Sequence, residues 1–185
     1  MPVLCKNAIK KRAKKLFLLQ LRENGVGKKT FCSLSDEEKK LLLRKGTRYF
    51  LKESARRRIC VVVTGGAFDI LHIGHLFTLE KAKKLGDVLV VVIACDETVE
   101  RGKRKPIHGE RYRKRMVEAL KPVDIALIGG KKRELVLKRV SPDVVVFGFD
   151  QKPFVPPGKY KIVRFKEQLN NEVYKTTEII RRLEI

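Results

Sequence analysis

A chain of 185 residues and 21.3 kDa, with 43% apolar residues, can form one α/β domain with its own core and a small appendage, which excludes a disordered or fibrous protein. The 43 Lys and Arg residues against 21 Asp and Glu give a formal net charge of +22, so we expect an anionic partner. The longest apolar run, Val88–Cys95, is far shorter than the roughly 20 residues of a membrane span, and no signal peptide is recognisable. We therefore expect a soluble, cytoplasmic protein.

Residues 1–58 are predicted to form a basic helical extension, because 18 Lys and Arg face only 5 Asp and Glu there. Apolar residues at helical spacing predict a first helix over Lys6–Glu23, which Asn24 ends. A second helix is predicted to begin at Ser35, where Glu38 completes a capping box, and to run toward Leu51. Such an extension is typical of a surface appendage or dimerisation arm, and RNA or DNA binding is the other interpretation.

Residues 59–185 alternate between strand-like and helix-like segments. Short β-branched runs separated by helices predict a doubly wound, mostly parallel five-stranded α/β sheet of Rossmann-like type, with ligands at the carboxyl ends of its strands. The predicted strands are Ile59–Val63, Val88–Ala94, Val123–Ile128, Asp143–Phe147 and Tyr160–Phe165, and the helices are Leu76–Leu85, Glu110–Leu120, Glu134–Val140 and Thr177–Leu183.

The segment after the first predicted strand, Thr64–His75, carries the strongest chemical signal. Gly65 and Gly66 lack side chains where the chain leaves the strand, so backbone N–H groups can approach an anion. His72 and His75 fall at the start of the next helix, where the helix dipole favours negative charge and two imidazoles can donate to phosphate oxygens. This pattern predicts a phosphate-binding site.

The same residues resemble the His-x-Gly-His signature of the nucleotidylyltransferase superfamily, matched by His72, Gly74 and His75. The preceding Gly-Gly-Ala-Phe-Asp is similar to the cytidylyltransferase-like branch, although Ala67 stands where relatives commonly carry threonine. Further runs at Asp96–Glu100, Arg104–Ile107 and Met116–Asp124 are most like the archaeal FAD synthases, which are FMN adenylyltransferases. The resemblance covers residues 59–185, and residues 1–58 have no counterpart in it.

The resemblance implies three groups of site residues and no metal site built from the protein. The catalytic group is His72, His75, Arg113 and Lys121. The nucleotide-binding group is Thr64, Gly65, Gly66, Ala67, Phe68, Gly74, Gly148, Asp150, Thr176 and Thr177. The acceptor-binding group is Asp96, Arg104 and Lys105.

The activity implied is transfer of a nucleoside monophosphate from a nucleoside triphosphate to a phosphate monoester, with release of pyrophosphate. FMN plus ATP is the first choice of substrates, with Mg²⁺ delivered with the nucleotide. The alternatives are CTP with glycerol 3-phosphate or a similar phosphorylated alcohol, and a nucleic-acid-binding protein on a degenerate fold of this kind. A homodimer and nucleic-acid binding through residues 1–58 stay open, and no membrane partner is expected.

Overall fold

A computed structural model describes residues 3–102, 105–130, 133–149, 151, 155, 158–166 and 179. The chain divides into two compact units, Met1–Cys60 and Val61–Ile185. No helix among these residues is both long enough and apolar enough to cross a bilayer.

The first unit begins with a long helix, α1 (Val3–Glu23), that ends where the sequence predicts. Positive backbone angles at Asn24 (φ 54°) and Gly25 (φ 96°) reverse the chain there. The rest of the unit comprises α2 (Lys28–Cys32), α3 (Asp36–Lys39), β1 (Leu42–Lys45), β2 (Arg48–Leu51) and α4 (Glu53–Arg56).

The predicted helix from Ser35 toward Leu51 is wrong beyond its first turn. The capping box forms, with Ser35 Oγ accepting from the Glu38 N–H at 3.3 Å and Glu38 Oε2 accepting from the Ser35 N–H at 3.1 Å. The helix nevertheless ends at Lys39, and β1 and β2 form an antiparallel hairpin that turns at Gly46 (φ 60°). The hairpin forms in place of the longer helix because it pairs Leu42 with Leu51 and buries both side chains.

The second unit confirms the predicted α/β fold. Its five described strands are all parallel, in the order β5-β4-β3-β6-β7, and helices lie between β3 and β4, between β4 and β5 and between β5 and β6. An unpredicted helix, α6, follows β4, and the predicted helix Thr177–Leu183 lies outside the described residues apart from Ile179. The elements are β3 (Val61–Gly66), α5 (Ile73–Lys83), β4 (Val88–Ile93), α6 (Asp96–Gly102), α7 (Glu110–Glu118), β5 (Ile125–Ile128), α8 (Arg133–Val140), β6 (Val144–Phe147) and β7 (Lys161–Arg164).

The strand order indicates which edge of the sheet is suited to binding a ligand. The chain runs outward from β3 to β4 and β5, then crosses back to β6 on the other side of β3. Strand order therefore reverses between β3 and β6, and in parallel sheets ligands bind at the carboxyl ends beside such a reversal. Buried apolar side chains of β3, β4 and α5, including Val62, Leu89 and Leu79, form the core below that edge.

Aspartates stabilise the opposite, amino edge. Asp143 Oδ2 accepts from the N–H of Val61 at 2.7 Å, and Asp124 Oδ2 accepts from the N–H of Leu89 at 2.7 Å. Lys83 Nζ also binds Asp124. Each carboxylate precedes one strand and accepts a hydrogen bond from an N–H group at the start of the neighbouring strand. This edge therefore has a structural role.

Candidate active site

The loop between β3 and α5 leaves the sheet through two glycines whose missing side chains have structural consequences. A Cβ on Gly65 would lie 3.0 Å from the carbonyl oxygen of Val92 on β4. A Cβ on Gly66 would lie 3.1 Å from the ring of Phe68, which folds back over it. The two glycines therefore allow the close approach of β4 and the aromatic ring, besides leaving the backbone accessible to a ligand.

Phe68 adopts a left-handed backbone conformation (φ 52°) that is costly for a bulky residue. Its side chain is buried, and its ring centroid lies 5.0 Å from that of His75. The neighbouring residues are tied down: the carbonyl oxygen of Ala67 accepts from Arg113, and Asp69 Oδ1 accepts from the N–H of His108 at 3.0 Å. The surrounding contacts thus hold the loop in a strained shape, which is common where a protein pre-organises a binding site.

His72 and His75 come together at the first turn of α5. Their ring centroids are 3.8 Å apart and the ring planes are inclined by 33°. Burial, together with the charge of His72, lowers the pKa of His75 from its usual 6.5 to about 3. His75 is therefore a neutral imidazole at physiological pH. Its Nδ1 atom is buried and makes no hydrogen bond within the described part of the chain.

The start of α5 adds a second feature suited to an anion. His72 occupies the N-cap position, with extended backbone angles, and its side chain makes no capping hydrogen bond. The first N–H groups of an α-helix have no partner inside the helix and carry a partial positive charge, so they favour phosphate. This turn therefore combines backbone donors with two imidazoles, and Gly74 between them adds no side chain to the turn.

Arg113 connects the segments that form the site. Its side chain is fully buried, and Nε donates to the carbonyl oxygen of His108 at 2.8 Å. Nη1 donates to the Ala67 carbonyl oxygen, while Nη2 donates to the Ala94 carbonyl oxygen at 2.8 Å and to Asp96 Oδ1 at 2.6 Å. All three guanidinium nitrogens are thus engaged with the protein, and the geometry favours a positioning role for Arg113 over direct contact with phosphate.

Asp96 begins α6 with its side chain 39% exposed. Burial opposes ionisation of its carboxyl group, but the hydrogen bond and charge of Arg113 and the backbone of Glu110 outweigh burial and lower the pKa of Asp96. The Asp96 N–H donates to Glu110 Oε2 at 3.0 Å, which joins the starts of α6 and α7. Asp96 is therefore ionised and held in place beside the site.

Polar groups also join β3 and β6 at the strand-order reversal. Thr64 Oγ1 donates to the Val146 carbonyl oxygen at 3.1 Å. Gln151 bridges the two strand ends, accepting from the Gly148 N–H and donating to the Gly65 carbonyl oxygen, both at 3.1 Å. Sequence reasoning did not select Gln151. In the sequence Gln151 stands out only as a polar residue just after Gly-Phe-Asp. Its hydrogen-bond acceptor lies 86 residues earlier, so spacing along the chain does not indicate the contact.

Two further residues that sequence reasoning did not select are Asp69 and His108. Asp69 is buried, and His108 binds it twice, through its N–H and through a contact of 3.1 Å between its Nδ1 and the Asp69 carbonyl oxygen. This link fixes the loop after Phe68 against the segment that leads into α7. Asp69 stood inside the recognised motif, but no sequence signal paired it with His108.

The structure corrects the prediction that Lys121 reaches the active site. Lys121 precedes β5, and the first residue of that strand, Ile125, pairs with Val90 near the start of β4. In a parallel sheet this places Lys121 at the amino edge, opposite the histidines. It is close in sequence to α7, but the direction of the strand decides which edge it occupies.

The remaining predicted residues are placed as follows. Lys105 is exposed and lies three residues before His108. The structure does not describe Arg104, Asp150, Thr176 or Thr177, so their roles stay predictions. Within the described part of the chain, no group of three or more His, Cys, Asp or Glu side chains is arranged to hold a metal ion.

Comparisons with known proteins agree with this geometry. The sequence is 46% identical over 129 residues to the FAD synthase of Aciduliprofundum boonei, covering 64% of this chain and 87% of that one. It is 55% identical over 94 residues to the FAD synthase of Methanopyrus kandleri and 50% identical over 91 residues to that of Ferroglobus placidus. These two matches cover 49% of this chain and 63% and 59% of the relatives.

A solved structure and a family match cover the same region. The crystal structure of a lipopolysaccharide core biosynthesis protein from Thermoplasma volcanium aligns with a TM-score of 0.56 and 34% identity, over 60% of this chain and 99% of that one. Residues 63–182, well over half of the chain, match the family described as cytidylyltransferase-like. With the His-x-Gly-His turn at the carboxyl edge of a parallel sheet, this match establishes that the chain belongs to the cytidylyltransferase-like family.

Proposed function

We propose that this chain is an FMN adenylyltransferase, a FAD synthase that transfers AMP from ATP to FMN and releases pyrophosphate. The observation that carries the proposal is the closely packed pair His72 and His75 at the start of α5, with His75 neutral, in a chain whose similar relatives are named FAD synthases. We assign the reaction to residues 59–185 and treat residues 1–58 as a separate basic extension.

The reaction needs alignment and charge neutralisation more than a protein nucleophile. An oxygen of the FMN phosphate, already ionised at neutral pH, would attack the α-phosphorus of ATP and form the new P–O bond. The bond from that phosphorus to the bridging oxygen breaks, and its electron pair leaves with pyrophosphate. The backbone N–H groups at the start of α5, with His72 and His75, would stabilise negative charge on the phosphates during this exchange.

The positioning residues support this chemistry indirectly. Arg113 holds the carbonyl groups of Ala67 and Ala94, so it fixes the ends of β3 and β4 between which the phosphates would lie. Asp96, ionised and half exposed, would orient the acceptor, and Lys105 would draw in its phosphate. Mg²⁺ would accompany the nucleotide, because this ion keeps water and substrate oxygens as ligands, and it would neutralise charge on the phosphates.

Exposed apolar side chains favour the flavin as acceptor over a small phosphorylated alcohol. Ile73 lies between the two histidines in the chain and is 45% exposed, while Ile107 precedes His108 and Tyr112 lies in the first turn of α7, with exposures of 48% and 70%. A tricyclic flavin ring gains from apolar and aromatic neighbours, whereas glycerol 3-phosphate offers little apolar surface to bury.

The test is a matrix of nucleotides and acceptors with two readouts. Pyrophosphate release and chromatographic detection of the product are measured for ATP and CTP against FMN and glycerol 3-phosphate. We expect pyrophosphate only with ATP plus FMN, in equal amount to FAD. A CDP-glycerol product from CTP would replace this proposal with the cytidylyltransferase alternative, and no turnover with any pair would remove the enzymatic assignment.

Variants connect the activity to the histidines. Removal of one group that stabilises transition-state charge typically lowers kcat by about 10²–10³. We expect this loss for His72→Asn and for His75→Asn. Arg115→Ala serves as the control, because Arg115 is an exposed cation of α7 that contacts none of the site residues described above. Near-normal turnover of either histidine variant would contradict the assigned role.

A further inference from the structure

We propose that the first unit carries a binding surface for double-stranded nucleic acid, formed by Lys28, Lys29, Arg44, Lys45 and Arg48. All five residues are exposed, on α2 and on the β1–β2 hairpin, and we call them the α2–hairpin surface. The inference goes beyond adenylyl transfer, since it concerns residues 1–60 alone and assigns them a ligand of another class.

The two parts of this surface are held together by contacts of several kinds. The rings of Phe31 on α2 and Tyr49 on β2 stack with centroids 3.7 Å apart and planes inclined by 5°. Val26, which leads into α2, exchanges backbone hydrogen bonds of 2.8 and 2.9 Å with Tyr49. Arg48 Nη1 donates to the Gly25 carbonyl oxygen at 3.3 Å. The start of α2 and the end of the hairpin are therefore fixed side by side.

Charge compensation distinguishes this surface from the α1 face of the same unit. On α1, Arg12 pairs with Glu37 at 3.7 Å and Lys15 pairs with the buried Glu38 at 2.7 Å. On and beside α3, Lys39 and Lys40 pair with Asp36 and Glu37 in the same way. The acidic residues of α3 thus neutralise cations that lie close to them.

The five cations of the α2–hairpin surface form no ion pair with any residue that the structure describes. Arg44 Nε donates to the Gly46 carbonyl oxygen at 2.9 Å, which leaves its charge uncompensated. Glu23 borders the surface, but its two oxygens accept from the Gly27 N–H and from Thr30 Oγ1, both at 2.8 Å. Exposed positive charge without a paired anion favours a polyanion as partner.

The chemistry of the surface favours nucleic acid over lipid. Segments that lie in a membrane interface combine cations with apolar side chains that insert into the bilayer. Among the described residues, the large exposed apolar side chains begin only at Ile73, so residues 7–60 offer none. Arg44 and Arg48 instead provide planar guanidinium groups, which match two oxygens of a phosphate at once.

The aromatic residues favour a duplex over a single strand. Proteins that bind single strands stack bases on exposed aromatic rings. In this unit Phe31 and Tyr49 stack on each other, Phe17 is buried, and Phe50 is half-buried. These four rings are thus engaged at least partly in packing within the unit, whereas a short two-stranded ribbon can enter the major groove of a duplex.

The experiment measures binding of the full chain to a fluorescent 20-base-pair DNA duplex across a salt series. The variant Lys28→Gln/Lys29→Gln/Lys45→Gln removes three cations from the surface. The matched control Lys84→Gln/Lys138→Gln/Lys161→Gln removes three exposed lysines from the second unit. A third variant, with arginine at positions 28, 29 and 45, keeps the charge.

We expect the wild type to bind with a steep salt dependence. Each phosphate contact contributes about 0.9 to the slope of log Kd against log salt, so the surface variant should lose about 2 to 3 from that slope and bind about tenfold or more weakly near 0.1 M salt. The control and the arginine variant should behave as the wild type does. Saturating ATP should leave duplex binding unchanged, because the surface belongs to the first unit and the His72–His75 turn to the second.

Four results would overturn the proposal: no duplex binding by the wild type, equal losses in the surface and control variants, displacement of the duplex by ATP, or tighter binding to phosphatidylserine vesicles than to DNA. Preferred binding of a single strand of the same length would overturn the duplex assignment. Adenylyl transfer is measured in parallel on every variant, and we expect it unchanged, so failure here is distinguishable from failure of the proposed enzymatic function.

Discussion

The imidazole rings of His72 and His75 face each other with centroids 3.8 Å apart at the first turn of α5. Two protonated rings at this separation would repel strongly, and burial penalises the charged form of His75 further. The pair therefore enters the reaction with His75 neutral, able to accept or donate one hydrogen bond without a charge of its own.

We predict that His75 makes the stability of the fold depend on pH. Its pKa is about 3 in the folded protein and about 6.5 when unfolded, so below pH 6.5 the unfolded state binds the extra proton. The contribution of His75 to the free energy of unfolding is thus complete above pH 6.5 and falls by about 1.4 kcal/mol per pH unit as pH decreases toward 3.

Urea denaturation of the wild type and of His75→Asn at pH 7 and pH 5 tests this prediction. The stability difference between the two proteins should be about 2 kcal/mol larger at pH 7 than at pH 5. Lys84→Gln, a substitution of an exposed residue after α5, is the control. An equal difference at both pH values would mean that folding does not lower the pKa of His75.

We predict that Arg113→Lys destabilises the protein by about 3–5 kcal/mol, because lysine cannot replace the four hydrogen bonds of the buried guanidinium and leaves Asp96 without its partner. Turnover should fall as well, since the loops around Ala67 and His108 lose the side chain that binds both of them. Chemical denaturation measures the first effect. The neighbouring exposed Arg111→Lys should change stability by less than about 0.5 kcal/mol, and a similar small effect for Arg113→Lys would disprove the anchoring role.

We predict that Gly65→Ala lowers the free energy of unfolding by about 1–3 kcal/mol, because the new methyl group would meet the Val92 carbonyl oxygen at 3.0 Å and push β3 away from β4. Gly130→Ala is the matched control, since among the described residues no heavy atom beyond its chain neighbours lies within 4 Å of the added methyl group. Thermal unfolding of both variants measures the difference. The prediction fails if the two alanines shift the midpoint equally.

We predict that Lys121→Ala keeps kcat/KM within about twofold of the wild type, because its position before β5 puts it at the amino edge of the sheet, away from the chemistry. Steady-state kinetics with ATP and FMN measure this. A loss of kcat/KM as large as that of the histidine variants would mean that Lys121 acts in the active site. It would contradict the position at the amino edge that the direction of β5 assigns to this residue.

Sequence reasoning found the parallel sheet because buried parallel strands are continuous apolar runs. Val88–Ile93 is such a run, and helices separate it from the strands before and after it in the chain. The helix prediction was wrong at Leu41–Leu43, because three successive leucines are compatible with a helix or with a strand. The outcome depended on Gly46, which reverses the chain so that Leu42 and Leu51 are buried together.

The amino-acid sequence alone determined the turn that carries the two histidines: two glycines at the end of a strand, then histidines three residues apart, predict a phosphate site from local geometry. Only the tertiary structure decided which distant groups support it. Arg113 is bonded to segments 5 to 46 residues away, and Gln151 reaches across 86. Spacing along the chain does not report such contacts, because packing and the direction of each strand determine which side chains meet at one edge of the sheet.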